Sequence, residues 1–209
     1  MSDGRADAPL FSRSWLWVMS PTLERLGLDR SRERLVAGLR GTVVEVGAGS
    51  GVTFAHYPPG VERVVAVEPD SHLRAHARER AARASVPVEV VDGVAEALPL
   101  ADGEADAVVF GLVLCTVPDV PAALAEARRV LGADGELRLL EHVRPAGVLG
   151  RVTDLIAPAW GVVGGGCRPN QDTAALLAGA GFDVSALRTR AFPPVVPIMP
   201  MLTGSARPR

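Results

Sequence analysis

The residues with the clearest potential for chemistry are a glycine-rich loop at 47–51 and the two carboxylates that flank it. Glycine occupies positions 47, 49 and 51, directly after the valine-rich stretch 43–46. Glycine tolerates the backbone angles of such a loop and leaves no Cβ in the way of a ligand. Glu45 precedes the loop, and Glu68 ends the next valine-rich stretch, so a parallel sheet would bring Glu68 beside the loop. The pattern predicts a ligand that lies on bare backbone, beside a carboxylate that accepts hydrogen bonds from a ribose diol.

The spacing of the glycines narrows the identity of that ligand. Dinucleotide sites use Gly-x-Gly-x-x-Gly, whereas here the third glycine comes one residue early and Val52 follows it. Glu45 places a negative charge just before the loop, which disfavours a pyrophosphate and suits a cation. A cationic ligand with a ribose and no phosphate is S-adenosylmethionine. We therefore expect this cofactor, with S-adenosylhomocysteine as its product.

Candidates for the chemistry of a second substrate follow the fourth and fifth predicted strands, where the crevices of parallel sheets open. His142 is a candidate base, because an imidazole with a pKa of about 6.5 can take a proton from a thiol with a pKa of about 8.5. Alternatively, His142 only hydrogen-bonds the segment 144–169. Glu141 would orient a neighbour such as His142 or balance a sulfonium charge. Arg144 is a weaker candidate for contact with the acceptor.

Four further residues complete the expected acceptor site, namely Cys115, Thr116, Trp160 and Trp15. Cys115 could bind a soft atom or simply pack in the core. Trp160 lies in the glycine-rich segment that we expect to be a lid. Trp15 belongs to an aromatic patch at 10–19, which could pack on the core, cover the substrate mouth or bind a membrane interface.

The elements that must position these residues alternate between strand and helix. Strands are predicted at 43–46, 63–68, 88–91, 105–110 and 136–141, with a terminal antiparallel pair at 182–187 and 201–206. This alternation predicts an α/β fold, Rossmann-like, with a seven-stranded and mostly parallel sheet covered by helices on both faces. We expect one domain overall, with an N-terminal helical lid or cap at 1–40 and a cofactor-binding domain at 41–209. The lid insertion would occupy 144–169.

Composition excludes several other classes of function. All 22 basic residues are arginine, so no Schiff-base lysine and no P-loop lysine can exist. A net charge of −2 makes nucleic acid a poor partner and favours a small-molecule acceptor. Two cysteines fit a reducing compartment, and no apolar run is long enough to span a membrane, so we expect a cytoplasmic protein without stable membrane insertion. His72 and His76 have metal-ligand spacing but lie in an arginine-rich helix, so no metal is expected.

A family resemblance agrees with the cofactor expectation. Residues 45–51 (EVGAGSG) resemble motif I of class I S-adenosylmethionine-dependent methyltransferases, and residues 67–69 (VEP) resemble their ribose motif. Residues 93–99 with 102–109 are similar to the segment that holds adenine. The resemblance implies these cofactor-binding residues: Glu45, Gly47, Ala48, Gly49, Gly51, Glu68, Pro69, Val94, Ala95 and Leu112. Val94 stands where the family often has an acid, so backbone groups at 94 and 95, or Asp92, would have to serve the adenine amino group.

A narrower resemblance concerns the acceptor. Residues 112–117, 141–143, 158–160 and 166–168 look like the corresponding segments of the thiol S-methyltransferases of the methyltransferase-like 7 group and their bacterial relatives. Gln171 departs from the arginine found in much of that group. The resemblance implies methylation of a small-molecule thiol. The alternatives are N- or O-methylation, including that of an amino lipid, and a protein that binds the cofactor without transferring its methyl group.

Overall fold

The computed structural model describes residues 27–190 and 200–209. The strands in these ranges are β1 (Gly41–Val46), β2 (Val61–Val67), β3 (Val88–Val91), β4 (Ala105–Gly111), β5 (Leu131–His142), β6 (Phe182–Asp183), β7 (Arg188–Arg190) and β8 (Met201–Pro208). The helices there are α1 (Asp29–Val36), α2 (Ser71–Ala81), α3 (Val120–Val130), α4 (Gly147–Val163) and α5 (Thr173–Gly179), with a 3-10 helix at Val52–His56.

The strands form one sheet in the order β3-β2-β1-β4-β5-β8-β6, and β7 also pairs with β8. Strands β1 to β5 pair in parallel, and β8 runs antiparallel to its neighbours. The α/β class and the mostly parallel sheet with a terminal antiparallel strand are therefore confirmed. Chain order reverses between β1 and β4, which is the switch point at which open α/β sheets bind ligands.

The strand register brings the predicted site residues to one edge of the sheet. Val46 at the end of β1 pairs with Val67 of β2 on one side and with Phe110 of β4 on the other. Strand β5 continues to His142 and pairs there with Met201 of β8. The glycine loop, Glu68 and the residues after β4 and β5 consequently share the carboxyl edge of the sheet.

Alternation along the strands divides the core into two layers. Val43 of β1 packs on one face with Leu35 of α1 and Ala77 of α2. Val44 packs on the other face with helices α3 and α5, for example against Leu124 and its neighbours. Because both faces are covered by helices, the central strands are mostly apolar rather than alternating in polarity.

The terminal antiparallel region differs from the expected single strand at 182–187. Asp183 accepts a hydrogen bond from the backbone N–H of Ser185 at 2.9 Å, and Leu187 N–H donates to the carbonyl of Val184 at 3.1 Å. These bonds close a turn in which the aspartate carboxylate competes with strand pairing. The segment therefore forms two short strands, β6 and β7, on either side of the turn.

The segment 144–169, for which we expect a lid insertion, consists mainly of helix α4. Several large apolar side chains of this helix are exposed, namely Val148, Leu149, Val152, Leu155 and Val162. Of the predicted N-terminal cap at 1–40, the described part contains α1, which packs on the sheet through Leu35 and Val36. Trp15 and the rest of residues 1–26 lie outside the described residues.

A membrane-spanning helix was not expected from the sequence. In the part of the chain that the structure describes, no helix has both the length and the apolarity to cross a bilayer.

Candidate functional site

The three glycines of the loop at 47–51 all have left-handed backbone, with φ of +62° at Gly47, +58° at Gly49 and +78° at Gly51. They differ in what a side chain would meet. A Cβ at position 47 would lie 2.6 Å from Val113 Cγ2, and one at position 51 would lie 2.4 Å from Phe54 Cε2. A Cβ at position 49 would meet nothing within 4 Å. Gly47 and Gly51 thus allow the loop to pack, whereas Gly49 leaves open space for a ligand.

Glu68 is held beside this loop, as the strand order predicts. Its Oε2 accepts a hydrogen bond from the backbone N–H of Gly49 at 2.8 Å, and its Oε1 accepts one from Asp70 N–H at 2.8 Å. Burial raises the pKa of the Glu68 carboxyl, and these two amides oppose the rise. A carboxylate offers about four lone-pair sites, so Glu68 retains acceptors for a ribose diol.

Arg74, which no motif of the sequence marks, ties the ends of β2 and β3 together. Its Nη1 donates to the carbonyl of Glu68 at 2.8 Å, to that of Pro69 at 2.6 Å and to the carboxylate of Asp92 at 2.8 Å. Asp92, an alternative partner for an adenine amino group, is therefore already engaged by a cation. Arg74 therefore links the backbone of Glu68 and Pro69 to the end of β3.

The segment predicted to hold adenine forms a tight turn. The carbonyl of Val94 accepts a hydrogen bond from Ala97 N–H at 3.2 Å. The side chain of Val94 is 45% exposed, whereas Ala95 is buried in the core. An apolar side chain is therefore available at 94 to cover the face of a ring.

Glu45 is placed differently from the sequence-based expectation of a charge beside a cation. It is buried at 5% exposure, and its Oε2 accepts a hydrogen bond from the Tyr57 hydroxyl at 2.9 Å. Burial raises the pKa of Glu45 to about 7, against the opposing effects of the Tyr57 and Thr53 hydroxyls and the Arg32 guanidinium. Glu45 thus binds the residues that follow the loop and holds the 3-10 helix against β1.

The chain turns sharply after β4. Leu112 has a left-handed φ of +66°, and it is the only such residue other than glycine in the described part of the chain. Its N–H donates to the carbonyl of Leu140 at 2.7 Å. Backbone strain of this kind costs about 1–2 kcal/mol and tends to occur at functional sites. The turn brings Val113 against Gly47 and so joins the cofactor loop to the residues after β4.

Glu141 supports this turn from the neighbouring strand. It is fully buried, and its Oε1 accepts hydrogen bonds from the N–H groups of Val113 at 2.7 Å and Leu114 at 3.0 Å. Its Oε2 accepts a longer one from Cys115 N–H at 3.4 Å. Burial raises the pKa of Glu141 to about 7, and the amides and His142 oppose the rise. Glu141 thus holds the turn in place through its backbone amides, and its predicted part in catalysis stays a prediction.

Two cysteines and a histidine from three separate segments meet beside the turn. The Sγ atoms of Cys115 and Cys167 lie 3.4 Å apart, and Cys167 Sγ lies 3.7 Å from Nδ1 of His142. The three donor atoms all lie within 4.8 Å of one another. We call these three residues the Cys-His-Cys cluster. The sequence singles out each residue separately and gives no sign that they meet.

The two thiols of the cluster are not equivalent. The hydrogen bond between the two thiols lowers the pKa of Cys167 to about 5 against the effect of burial, and His142 and Trp160 contribute to the lowering. The same hydrogen bond and burial raise the pKa of Cys115 well above its usual range. Of the two thiols, Cys167 is therefore the one that ionises more easily.

Trp160 of helix α4, for which a role as an acceptor residue is predicted, lies beside the cluster. Its indole nitrogen is buried and has no hydrogen-bond partner of good geometry among the described residues. It nevertheless lies close enough to Cys167 to help lower the pKa of that thiol. The indole N–H thus polarises the sulfur without a fully formed bond.

Backbone contacts hold Cys167 in place, although it follows three consecutive glycines. The N–H of Arg168 donates to the carbonyl of Cys115 at 2.7 Å, and the Arg168 guanidinium donates to the carbonyl of Val117. Gln171 Nε2 donates to the carbonyl of Leu114 at 3.3 Å. The side chain of Gln171 therefore helps to attach this segment to the turn after β4.

Two of the predicted acceptor residues have their polar groups occupied by the protein. Arg144 makes a bidentate ion pair with Asp154 of helix α4, with distances of 3.0 Å from Nε and 2.7 Å from Nη2. The Thr116 hydroxyl donates to the carbonyl of Val113 at 2.8 Å. Arg144 therefore anchors α4, and Thr116 closes the turn.

Comparisons with known proteins agree with this geometry. A methyltransferase-domain family profile matches residues 44–139. The chain is 32% identical to thiol S-methyltransferase TMT1B of Homo sapiens over 203 residues, which cover 90% of this chain and 82% of that protein.

Two solved structures share the fold. The YcgJ protein of Bacillus subtilis aligns with a TM-score of 0.65 at 22% identity, over 80% of this chain and 70% of its own. The methyltransferase CalH, solved in complex with S-adenosylhomocysteine, aligns with a TM-score of 0.58 at 22% identity, over 88% of this chain and 55% of its own. The chain therefore belongs to the class I S-adenosylmethionine-dependent methyltransferases: it is an enzyme of that family with S-adenosylmethionine as its cofactor, and thiol S-methyltransferases are among its homologues.

Proposed function

We propose that the enzyme methylates the sulfur of a small-molecule thiol. The observation that carries the proposal is the Cys-His-Cys cluster, which presents two sulfurs and an imidazole beside the turn after β4. The carboxylate nearest to it, Glu141, is occupied by backbone amides. A protonated amine would need a free carboxylate at this place, whereas a thiol suits a site that is lined by soft sulfur atoms. The similarity to TMT1B supports the same acceptor.

The cofactor site fits S-adenosylmethionine in the described residues. The open space at Gly49 admits a ligand close to the loop backbone. Glu68 has lone pairs left for the ribose hydroxyls, and Val94 offers an apolar side chain for adenine. When bound, the cofactor supplies a methyl group already activated by its sulfonium. The protein then has to align the acceptor with that group and exclude water.

The acceptor side provides alignment through the turn at 112–116. Glu141 fixes the three amides of the turn, and Val113 packs on the cofactor loop at Gly47. The acceptor sulfur would form the new bond to the methyl carbon as the bond from that carbon to the sulfonium breaks. The thiol proton of the acceptor must also be removed, and the sequence predicts His142 as the base that removes it. A thiol needs little such help, since a few per cent is already thiolate at neutral pH.

The experiment is incubation with labelled S-adenosylmethionine and matched panels of thiols, amines and phenols. We expect methylated product from thiols. Turnover of an amine or phenol with no product from any thiol would remove the sulfur assignment. His142→Ala should slow turnover of a thiol while leaving cofactor affinity nearly intact, and His76→Ala on α2 is the matched control. Unchanged turnover in His142→Ala would remove the role of His142 in the reaction.

A second candidate is N- or O-methylation of an amphipathic acceptor such as an amino lipid. The observation that favours it is the exposed apolar surface of α4, which includes Val148 and Leu155 at 74% and 81% exposure. Flotation with liposomes tests it, because a lipid acceptor requires the protein to reach the bilayer. No association with liposomes, together with turnover of water-soluble thiols, would leave S-methylation as the function.

A further inference from the structure

We propose that the Cys-His-Cys cluster binds one zinc ion and that the fourth coordination position of this zinc takes the acceptor thiolate. The metal site itself is independent of the proposed function. The role given to the fourth position rests on that function. Neither the family resemblance nor the comparisons assigns a metal to these residues.

The donor atoms and their spacing are those of a zinc site. Two thiolates and an imidazole form a Cys2His set, which in catalytic zinc sites leaves one position open. With Zn–S bonds of about 2.3 Å, two sulfurs of a tetrahedral site lie roughly 3.8 Å apart. The sulfurs of Cys115 and Cys167 are 3.4 Å apart, and Nδ1 of His142 lies 3.7 Å from Cys167 Sγ. All three atoms lie within 4.8 Å of one another, so small shifts would bring them into ligand positions.

The surroundings hold the ligands where a metal needs them. Cys115 is fixed through its own N–H, which donates to Glu141, and through its carbonyl, which accepts from Arg168 N–H. The same hydrogen bond also fixes the position of Cys167, because Cys167 directly precedes Arg168. Both thiols are buried, which protects a site of this kind from competing water.

The indole N–H of Trp160 is a second observation that points to a ligand. It is a buried donor without a partner of good geometry in the described ranges, and it lies against the cluster. A buried donor left unpaired is unfavourable, because it has given up its hydrogen bonds to water. The indole N–H therefore marks a place beside the cluster where an atom of a bound ligand could accept a hydrogen bond.

Charge balance suits the proposed use of the open position. Zinc with two thiolates and a neutral imidazole is uncharged, so binding of an acceptor thiolate makes the site singly negative. That negative charge complements the positive sulfonium of the cofactor, from which the methyl group is transferred. The acceptor thiol loses its proton to solvent on binding, the metal-bound sulfur then forms the bond to the methyl carbon, and the cofactor sulfur leaves with the electron pair of the broken bond. The thioether product is a weaker ligand and dissociates.

One imidazole cannot be both a metal ligand and a free base. In the zinc-loaded enzyme the metal itself promotes ionisation of the acceptor. His142 then acts as a ligand, which replaces the role of base predicted from the sequence.

The site is tested with the full chain, reduced, kept anaerobic, stripped with a chelator and titrated with Co²⁺. We expect one equivalent to bind and to produce thiolate-to-cobalt charge-transfer absorption with the strong visible bands of a tetrahedral ion. Zinc should displace the cobalt. Cys167→Ser and His142→Ala should weaken binding by at least 10-fold, with circular dichroism confirming the fold. His76→Ala, which alters the His72–His76 pair on α2, should bind cobalt as the parent does.

Three results would overturn the metal site. The first is a fully reduced chain with two titratable thiols that binds neither cobalt nor zinc. The second is binding that His76→Ala abolishes and Cys167→Ser does not. The third is a chain that carries a Cys115–Cys167 disulfide and, after its reduction, still takes up no metal.

The open position is tested separately by adding 2-mercaptoethanol to the cobalt-loaded protein, with ethanol as the matched control. We expect the thiol, and not the alcohol, to strengthen the charge-transfer absorption. No change with the thiol would overturn this role and leave the metal site standing. Absence of methylated thiol in the panel assay, with an intact cobalt signal, would instead refute the proposed function.

Discussion

The backbone N–H of Gly49 donates a hydrogen bond of 2.8 Å to the carboxylate of Glu68, across 19 positions of sequence. This bond joins the glycine loop after β1 to the acid that ends β2. It holds the two parts of the cofactor site in one arrangement before any ligand binds. Binding therefore costs less conformational entropy than it would with a free loop.

Glu68→Gln should weaken binding of S-adenosylhomocysteine by roughly 10- to 100-fold, since one or two charge-assisted hydrogen bonds are lost. The amide NH2 of glutamine would also face the N–H groups of Gly49 or Asp70, which now donate to the acid. Isothermal titration calorimetry measures the change. Glu89→Gln, on an exposed position of β3, is the matched control and should bind normally. Equal affinity in both variants would contradict the role of Glu68.

Gly49→Ala should lose cofactor binding, and the accompanying loss of stability should be too small to explain it. Gly49 and Gly38 both have a left-handed φ, and a Cβ at either would meet nothing within 4 Å. Alanine should therefore cost each position about 1–2 kcal/mol in the free energy of unfolding. Position 49 lies in the loop predicted to hold the cofactor and position 38 does not, so Gly38→Ala should retain affinity. Calorimetric titration and urea unfolding of both variants separate the two effects, and equal affinity loss in both would argue against the open space as the ligand site.

Ionisation of the buried Glu45 carboxyl should lower the free energy of unfolding. The fall should occur as the pH rises from the pKa of Glu45 in the unfolded chain to its pKa in the folded chain. The pKa is about 7 in the folded chain, against an ordinary value of 4.5 for a glutamate carboxyl. Between these values the folded state holds a proton that the unfolded state has lost, so stability falls with pH, and the full penalty is present above about 7. The difference of about 2.5 between the two pKa values corresponds to a loss of about 3 kcal/mol in the free energy of unfolding. The groups that face the carboxyl are Tyr57, Thr53 and Arg32.

Urea unfolding of Glu45→Gln between pH 5 and 8 checks this linkage. Glutamine can still accept the Tyr57 hydroxyl but cannot ionise, so the fall in stability should be smaller than in the parent protein. Glu62→Gln, at an exposed position of β2, should leave the fall unchanged. An identical pH dependence in Glu45→Gln and the parent would show that burial of Glu45 is not linked to protonation.

Arg144→Gln should change helix α4 rather than acceptor affinity, because the guanidinium is paired with Asp154 at the surface. Exposed ion pairs contribute about 0–1 kcal/mol, so the effect on the free energy of unfolding should be at most that size. Asp154→Asn should reproduce it, since it removes the other half of the same pair. Steady-state kinetics with the thiol that the panel assay identifies give the acceptor KM. A rise of 10-fold or more in that KM for Arg144→Gln alone would restore the sequence-based assignment of Arg144 to the acceptor.

The cofactor side was predictable because its signals are local. Three glycines at fixed spacing demand a left-handed loop, and an acid at the end of the next strand must share its edge in a parallel sheet. Glu68 and the loop accordingly lie where the sequence puts them. Glu45 directly precedes the loop in the sequence, but the sequence does not show what its side chain contacts. The partner of a buried strand side chain is set by the layer that packs on it, and for Glu45 that partner is Tyr57.

The acceptor side was decided by the tertiary structure. Cys115, His142 and Cys167 come from three segments, and their meeting depends on the turn at Leu112, on the length of β5 and on the return of the chain after α4. Long-range contacts of this kind leave no periodicity or spacing in the sequence, since each is set by packing between layers. The sequence by itself therefore determined the fold class and the methyl donor. Only the tertiary structure decided that Glu141 supports a turn, that Arg144 anchors a helix and that two sulfurs and an imidazole share one site.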